Sequence, residues 1–500
     1  MTEKPKILVV SPMPTHPQTQ GNRWRVFEVC QLLKKAELEV HFLWYAKEWG
    51  GLIADKDYDL MNKSWDRLYI VPDFPDSKNR HSNIDLEMDH HCPETLMNFV
   101  RWCKNNTDYQ YVMVNYVLYS KVLELFKDDE TITLIDTHDI LGDRHKMLST
   151  AGATQEFHSV SDHDEIKGLL RADIVIAIQE QEANYFKNKA HHNKVLTLGH
   201  GHSQADNSKE TATSKPIAGI IGSFNNVIIE NTQKLLLEIT KHEANLPQGF
   251  ELHLAGSMCD QLQGPFPKYV KVCGRVQSVA DFYNNLALAV IPVEFGSGLK
   301  IKAVEALSHG IPTIGTQQAF TGIETTDLHH QYPDIASLAE AIPDVISDFG
   351  TLSALKNSCS QAYINNQTKV REQFQNILST AQTIYSNKSK QTQDFQFSHL
   401  EDKTDIVLFG AGLGCKVLLN QLPHPIKSRI THIFDSFKSN MTYEGLTVCH
   451  WTSIPADQRE RITVVITLTT ADWTNVREKL LESGFSNIIY AGDFIRPQIV

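Results

Sequence analysis

Short apolar runs, separated by polar stretches with helical spacing, recur through the first 200 residues. The runs predict buried strands at 6–11, 40–43, 110–117, 132–136, 172–179 and 195–198. Between the first two runs, residues 23–36 place apolar side chains on one face of a helix. This order predicts a parallel sheet, whose ligand edge lies at the carboxyl ends of the strands. We therefore predict a first α/β lobe over residues 1–203, with 46–108 forming helices and loops.

The same alternation restarts twice in the remainder of the chain. Apolar runs at 217–225, 251–256, 270–276, 286–292 and 313–315, with a helix at 231–241, predict a second α/β lobe over residues 214–366. Polar residues predict linkers at 203–215 and 387–402, and residues 367–387 have helical tendency. Strands at 404–409, 430–434, 464–467 and 487–490, with helices at 416–421 and 475–483, then predict a small Rossmann-like α/β domain over 403–500.

A glycine-rich turn joins the strand at 286–292 to a helix that ends near Gly310. Gly296, Ser297 and Gly298 form the turn, and such a turn exposes backbone N–H groups that suit an anionic phosphate. Lys300 and Lys302 add two positive charges, and Glu305 lies one turn into the helix, where its carboxylate could accept hydrogen bonds from sugar hydroxyls. A glycine turn with solvated lysines and a surface glutamate is the alternative interpretation.

The run Gly-Ser-Gly-Leu-Lys-Ile-Lys-x-x-Glu-Ala-Leu-x-x-Gly-Ile-Pro-Thr at 296–313 resembles the donor-binding segment of retaining family-4 glycosyltransferases of the GT-B fold. The resemblance extends over residues 6–385 and implies two facing Rossmann-like lobes. It implies that the loop and its lysines hold the donor diphosphate and that Glu305 holds the ribose. Many members of the family carry a glutamate eight residues before Glu305, where this chain has Ser297.

Candidate residues of the first lobe lie on its predicted ligand edge. Gly21, Asn22 and Arg23 follow a proline-rich loop, and His138 follows the strand at 132–136. Each also has a purely structural interpretation, as a loop glycine, a solvated helix turn or a structural histidine. From the end of its strand, His138 could donate a hydrogen bond to a sugar hydroxyl or a phosphate. The orders Pro-x-x-Pro-x-x-x-Gly-Asn-Arg and Asp-Thr-His-Asp resemble first-lobe segments of the same family, whose histidine lies near the transferred sugar.

In the second lobe, Gly222 and Ser223 end the first strand on the ligand edge. Family members often carry Arg and Lys here to meet the diphosphate. The resemblance therefore assigns most of the phosphate charge to Lys300 and Lys302, which we expect to be catalytic together with His138. No general base is evident in the sequence. In retaining GT-B enzymes the leaving phosphate is often proposed to take the acceptor proton.

Composition narrows the class of partner. A formal net charge of −12 argues against nucleic-acid binding. The sequence has no run of about 18 apolar residues, so we predict no membrane span. The eight cysteines are scattered without a Cys-x-x-Cys pair, and the first strand starts at residue 6. We therefore expect a cytoplasmic protein, with peripheral association at the inner face of a membrane left open. The resemblance implies a nucleotide-sugar donor and no metal or other cofactor.

Three functions fit these residues at this stage. The first is transfer of a sugar with retention to a glycan, lipid-linked or protein acceptor, in surface polysaccharide or glycoconjugate synthesis. The others are a non-catalytic binding or scaffold protein on the same fold and a sugar-nucleotide epimerase.

The third domain has Gly410 and Gly412, but Cys415 replaces the last glycine of a dinucleotide-binding turn. Asp435 has the position of the acid in such a unit, yet we favour a structural module, or one for docking or oligomerisation.

Overall fold

The computed structural model of the protein describes residues 4–18, 20–46, 54–72, 88–127, 129–146, 159–192, 194–203, 215–224, 226–294, 301–396, 398–439, 441–468 and 473–491. For 389–399, 413 and 473 it describes no side chains. Contacts divide the chain into one unit over Met1–Tyr385 and a second over Ser386–Val500. Each unit is described by itself below.

The first lobe is built on a seven-stranded sheet with the order β3-β2-β1-β4-β5-β6-β7. Its strands are β1 (Lys6–Ser11), β2 (Glu39–Ala46), β3 (Arg67–Pro72), β4 (Tyr111–Asn115), β5 (Ile132–Asp136), β6 (Ile174–Ala177) and β7 (Val195–Thr197). All neighbouring strands are parallel. The central strands are buried along nearly their whole length and largely apolar, as expected for a parallel sheet covered by helices on both faces. The prediction of only helices and loops at 46–108 was wrong for β3, a largely exposed edge strand.

The second lobe carries a parallel five-stranded sheet with the order β10-β9-β8-β11-β12. Its strands are β8 (Ile217–Ile221), β9 (Glu251–Ala255), β10 (Val270–Gly274), β11 (Leu288–Ile291) and β12 (Thr313–Gly315). The helices of the two lobes are α1 (Gly21–Lys35), α2 (Asp55–Ser64), α3 (Glu94–Asn106), α4 (Asp162–Leu169), α5 (Glu180–Ala190), α6 (Asn226–Lys241), α7 (Val279–Asn284), α8 (Ile301–Ser308) and α9 (Ile335–Ser347).

A single long helix, α10 (Phe349–Gln396), packs into both lobes. Leu355, Cys359 and Ala362 belong to the core of the second lobe, whereas Val370, Phe374, Ile377 and Ala381 belong to a core of the first. The helix contains the residues predicted as helical at 367–387. The predicted linker at 387–402 was wrong as far as Gln396, because the helix continues to that residue. No proline or glycine lies between Gly350 and Gln396 to end it, and the lysines and glutamines of 387–396 favour a helix.

The C-terminal unit carries a six-stranded sheet with the order β15-β16-β14-β13-β17-β18, in which only the pair β15 and β16 is antiparallel. Its strands are β13 (Ile406–Phe409), β14 (Ile430–Phe434), β15 (Met441–Tyr443), β16 (Leu446–Cys449), β17 (Thr463–Ile466) and β18 (Asn487–Tyr490). Its helices are α11 (Ser398–Glu401), α12 (Leu413–Gln421), α13 (His424–Lys427) and α14 (Trp473–Glu482). The predicted fold class, two Rossmann-like lobes with a third small α/β domain, is confirmed.

Candidate active site

The predicted phosphate-binding turn leads into α8 of the second lobe. Gly296, Ser297, Gly298 and Lys300 lie outside the described residues, and their predicted contacts stay predictions. The described part begins at Ile301 and contains Lys302 and Glu305 on the first turns of α8. This helix follows β11, so both side chains lie beyond the carboxyl edge of the second sheet.

The Glu305 carboxylate is held by two donors and is only 7% exposed. The Lys302 ammonium donates to both carboxylate oxygens at 2.8 Å, and the Tyr283 hydroxyl donates to Oε1 at 3.1 Å. Burial alone would raise the pKa of Glu305, but the Lys302 charge and these hydrogen bonds lower it below its ordinary value. Glu305 is therefore an oriented anion, and Lys302 lies against it in this structure.

A series of rings leads from Glu305 to the first lobe. The Tyr283 ring stacks on His309 at a centroid distance of 4.6 Å, and His309 lies 6.3 Å from His202. His202 in turn stacks on Trp24 of α1 at 4.5 Å. These rings bridge the two lobes beside the predicted ribose-binding carboxylate.

The turn that begins α1 contacts α8 directly. A Cβ atom placed on Gly21 would lie 2.9 Å from Cδ1 of Ile301, so a side chain here would press on the second lobe. The neighbouring Asn22 amide donates to the Tyr116 hydroxyl at 3.4 Å, and Arg23 is buried. The structure thus brings the predicted Gly21, Asn22 and Arg23 next to the start of α8.

His138 follows β5 and is stacked on Tyr116 with a centroid distance of 4.3 Å. Its backbone is left-handed, with φ 62°. Its Nε2 lies 2.9 Å from Oδ1 of Asn115, whose amide nitrogen donates to the Val10 carbonyl and so fixes which amide atom meets the ring. Burial lowers the pKa of His138 to about 4.

The neutral His138 ring therefore carries its proton on Nε2 and donates it to Asn115. The remaining nitrogen, Nδ1, is an acceptor. We expected His138 to donate a hydrogen bond to a sugar hydroxyl or a phosphate. In the structure the free ring nitrogen of His138 can only accept a hydrogen bond from a ligand, because Asn115 already accepts the one N–H of the ring.

A buried ion pair supports this edge of the first sheet. Arg25 of α1 binds both carboxylate oxygens of Asp136, and the two side chains are 1% and 0% exposed. Arg25 also donates to the carbonyls of Leu198 and Gly199. It thereby connects β5, which positions His138, to the segment that leaves β7.

That segment, residues 199–203, is attached to α10. Asn366 donates to the His200 carbonyl, and Tyr363 and Gln367 donate to the His202 carbonyl. Within the described ranges, both ring nitrogens of His200, Nε1 of Trp24 and Nδ1 of His309 are buried without a hydrogen-bond partner.

Gly222 and Ser223 directly follow β8, with Gly222 buried and Ser223 half-buried. A Cβ atom on Gly256 would lie 2.1 Å from the Gly222 carbonyl oxygen, and Gly256 has a φ of +93°. Two backbone segments therefore pass very close together at this turn. The contact shapes the edge beside β11, while any role of Ser223 toward a ligand stays a prediction.

Sequence reasoning missed Tyr283, His202, His200 and His309. Tyr283 comes from α7 and meets Glu305 only in the folded lobe, whereas His309 directly follows α8, four residues after Glu305. His200 and His202, however, follow the carboxyl end of β7, which is the same rule that selected His138.

The glycine turn of the C-terminal unit is closed by its own side chains. Asp435 accepts hydrogen bonds from the backbone N–H groups of Ala411, Phe437 and Lys438, each at 2.9 Å. The Lys438 ammonium donates to the Ala411 carbonyl, and the Tyr443 hydroxyl donates to the Gly412 carbonyl. The residue at the position of the acid in a dinucleotide-binding unit, Asp435, thus binds the backbone of the turn itself.

Comparison with known proteins agrees with this geometry. Residues 215–348 match the family model described as glycosyl transferases group 1. HepE from Anabaena, solved with UDP and glucose, is similar with a TM-score of 0.52 and 14% identity, over 75% of this chain and 99% of HepE. These findings support a GT-B glycosyltransferase.

Two further solved structures match an equal share of the chain. Sucrose-phosphate synthase from Thermosynechococcus elongatus has a TM-score of 0.53 and 18% identity, over 75% of this chain and 98% of the synthase. A TarM variant from S. aureus, solved with fondaparinux, α-GlcNAc-glycerol and UDP, has a TM-score of 0.54 and 10% identity, over 75% and 99%. At these identities the likeness establishes the GT-B fold. No curated protein matches the sequence.

Two properties of the described residues complete the picture. None of their helices combines the length and apolar character needed to cross a membrane. Nor do they bring together three or more His, Cys, Asp or Glu side chains that could hold a metal ion. Residues 89–92, Asp-His-His-Cys, are four consecutive residues of types that can bind metal ions. Within this run Asp89 forms ion pairs with Lys167 and Arg171.

Proposed function

We propose that the chain transfers a sugar from a nucleotide-diphosphate sugar to an acceptor hydroxyl. One observation carries this proposal: the oriented Glu305 carboxylate lies on α8, whose first residue contacts the Gly21 turn of the facing lobe. A nucleotide held by α8 would present its sugar toward Asn22, Tyr116 and His138. The family match over 215–348 supports the same donor lobe.

The reaction we propose keeps the anomeric configuration of the sugar. The bond between the anomeric carbon and the leaving phosphate oxygen breaks, and the acceptor oxygen bonds to the same face of that carbon. The acceptor proton passes to the leaving phosphate. Lys300, Lys302 and the backbone N–H groups of 296–298 would stabilise the developing negative charge, so the step needs no metal or other cofactor.

His138 would accept a hydrogen bond from a sugar hydroxyl through Nδ1, and Asn22 would add a polar contact beside it. A UDP-sugar is the first donor to test, because HepE was solved with UDP and with UDP-glucose. The acceptor is a glycan, a lipid-linked molecule or a protein, in surface polysaccharide or glycoconjugate synthesis.

The test is a thermal-shift screen of the full chain with UDP, GDP, ADP, CMP and their sugars. A ligand at about 100 times its dissociation constant adds roughly 2.7 kcal/mol to the free energy of unfolding. We expect one nucleotide class to raise the melting temperature and Glu305→Gln to weaken that effect. The absence of a shift with every nucleotide would favour a non-catalytic protein instead.

The bound nucleotide sugar is then incubated without and with acceptors, and its anomeric signals are followed by NMR. Conversion of the donor to an epimer without acceptor would identify an epimerase. A product with an inverted anomeric centre would contradict retention while leaving glycosyl transfer intact.

A further inference from the structure

We propose that Tyr283 is a positioning residue for nucleotide binding: its hydroxyl holds the Glu305 carboxylate in the orientation that accepts the two ribose hydroxyls. The inference rests on the proposed function, because it assigns the ribose to Glu305. It adds a residue from a different helix, α7, which neither the family match nor the sequence motif marks.

The Tyr283 side chain has little freedom. It is 1% exposed and lies among the largest fully buried side chains of the protein. Burial, together with the neighbouring Glu305 charge, raises the pKa of Tyr283 well above its ordinary value. The hydroxyl therefore stays protonated and acts as a donor, and its contact with Oε1 of Glu305 is 3.1 Å.

The tyrosine ring is also fixed to the helix that carries Glu305. It stacks on His309, which lies four residues after Glu305 in the chain, with a centroid distance of 4.6 Å and an interplanar angle of 25°. Tyr283 thus contacts the α8 region twice, once through its hydroxyl at Glu305 and once through its ring. These two contacts set the position of the carboxylate relative to α7.

Lys302, the other partner of Glu305, differs in both respects. Its side chain is 25% exposed, and it reaches the carboxylate from three residues earlier on the same helix. A carboxylate offers about four acceptor positions. A diphosphate would draw the Lys302 ammonium away and free positions on both oxygens for ribose hydroxyls. Tyr283 has no comparable route to solvent, so it remains on Oε1 when ribose binds.

The experiment measures how strongly the protein distinguishes a ribose from a sugar without its hydroxyls. The probes are UDP, GDP or ADP, whichever binds the wild-type full chain most tightly, and the 2′,3′-dideoxy form of the same nucleotide. Dissociation constants are measured by titration calorimetry for wild type and for Tyr283→Phe. Tyr269→Phe is the matched control, because it removes a hydroxyl bonded to Thr240 elsewhere in the second lobe.

Hydrogen bonds to a charged group predict that wild type prefers the ribonucleotide by about 10- to 100-fold. We expect Glu305→Gln to abolish most of that preference. Tyr283→Phe should reduce it by about 3- to 10-fold, through weaker ribonucleotide binding with an unchanged dideoxy affinity. Tyr269→Phe should leave both constants unchanged.

Two results would overturn the inference alone: an unchanged preference in Tyr283→Phe while Glu305→Gln loses it, or an equal weakening of both nucleotides. The second result would mean that Tyr283 only fills the core of the lobe. Failure of all three nucleotides to bind wild type would instead overturn the proposed function, and the inference with it.

Discussion

Two glycine-rich segments of the sequence follow a buried strand and precede a helix, yet the acidic side chains near them have different partners. After β11 comes α8, where Lys302 and Tyr283 orient the Glu305 carboxylate beside the facing lobe. After β13, the turn at Gly410 and Gly412 leads to α12, and Asp435, Lys438 and Tyr443 bind the backbone of the turn.

The difference concerns what the polar side chains bind. In the second lobe the acid is held by other side chains, and we propose that it binds the ribose of a nucleotide. In the C-terminal unit the acid uses its oxygens on backbone N–H groups of its own loops. A glycine turn before a helix therefore identifies a possible phosphate site only when the neighbouring acid and cations are not committed to the turn. The comparison favours a structural role for the second turn.

The largest expected effect is a loss of nucleotide affinity when the lysines beside the glycine segment before α8 are removed. We predict that Lys300→Ala with Lys302→Ala weakens binding of the donor nucleotide by at least about 100-fold, since two charge-assisted contacts contribute about 1.5–3 kcal/mol each. The matched pair Lys416→Ala with Lys438→Ala, beside the other turn, should leave affinity unchanged. Titration calorimetry measures both, and equal losses in the two double variants would remove the distinction.

A second prediction concerns stability instead of binding. Asp435→Ala leaves three backbone N–H groups without their acceptor, and we expect the C-terminal unit to lose about 2 kcal/mol of unfolding free energy. For a unit of this size that lowers the melting temperature by about 10 °C. Calorimetry of the full chain measures the shift, with the exposed Asp457→Ala as control. Nucleotide affinity should not change, and a loss of affinity would contradict a structural role for the turn.

The smallest effect is a dependence on acid pH. Partial burial would raise the pKa of Asp435, but the N–H groups of Phe437, Ala411 and Lys438 lower it overall. The stabilisation is therefore complete above the unfolded pKa of about 3.9 and is lost as the pH falls through the lower folded value. We expect the difference in the free energy of unfolding between wild type and Asp435→Ala to narrow as the pH falls below about 4. A difference that is constant between pH 6 and pH 3 would contradict this assignment.

Apolar runs made most of the fold predictable. Most central strands of the three sheets are buried along nearly their whole length, so their sequences are largely apolar and were predicted. The strands β3, β15 and β16 were missed because they lie at or near sheet edges and carry exposed polar side chains. The polar residues after 387 resemble a linker in composition, although the backbone remains helical to Gln396.

The candidate site was predictable only where its residues occupy one motif or one strand end. Glu305 and Lys302 follow the glycine turn, and His138 follows β5. The partners that orient them come from elsewhere: Tyr283 from α7, Asn115 from β4 and His202 from beyond β7. Periodicity predicts which face of an element is buried, but it does not predict which buried polar atoms of two elements meet.

The helix α10 has a consequence for the order in which the protein is made. Val370, Phe374, Ile377 and Ala381 complete a core of the first lobe, yet they follow the whole second lobe in the chain. Because synthesis proceeds from the N-terminus, one apolar surface of the first sheet stays without its final cover until the second lobe has emerged from the ribosome. Of the two lobes, the one that is synthesised first therefore completes its core last.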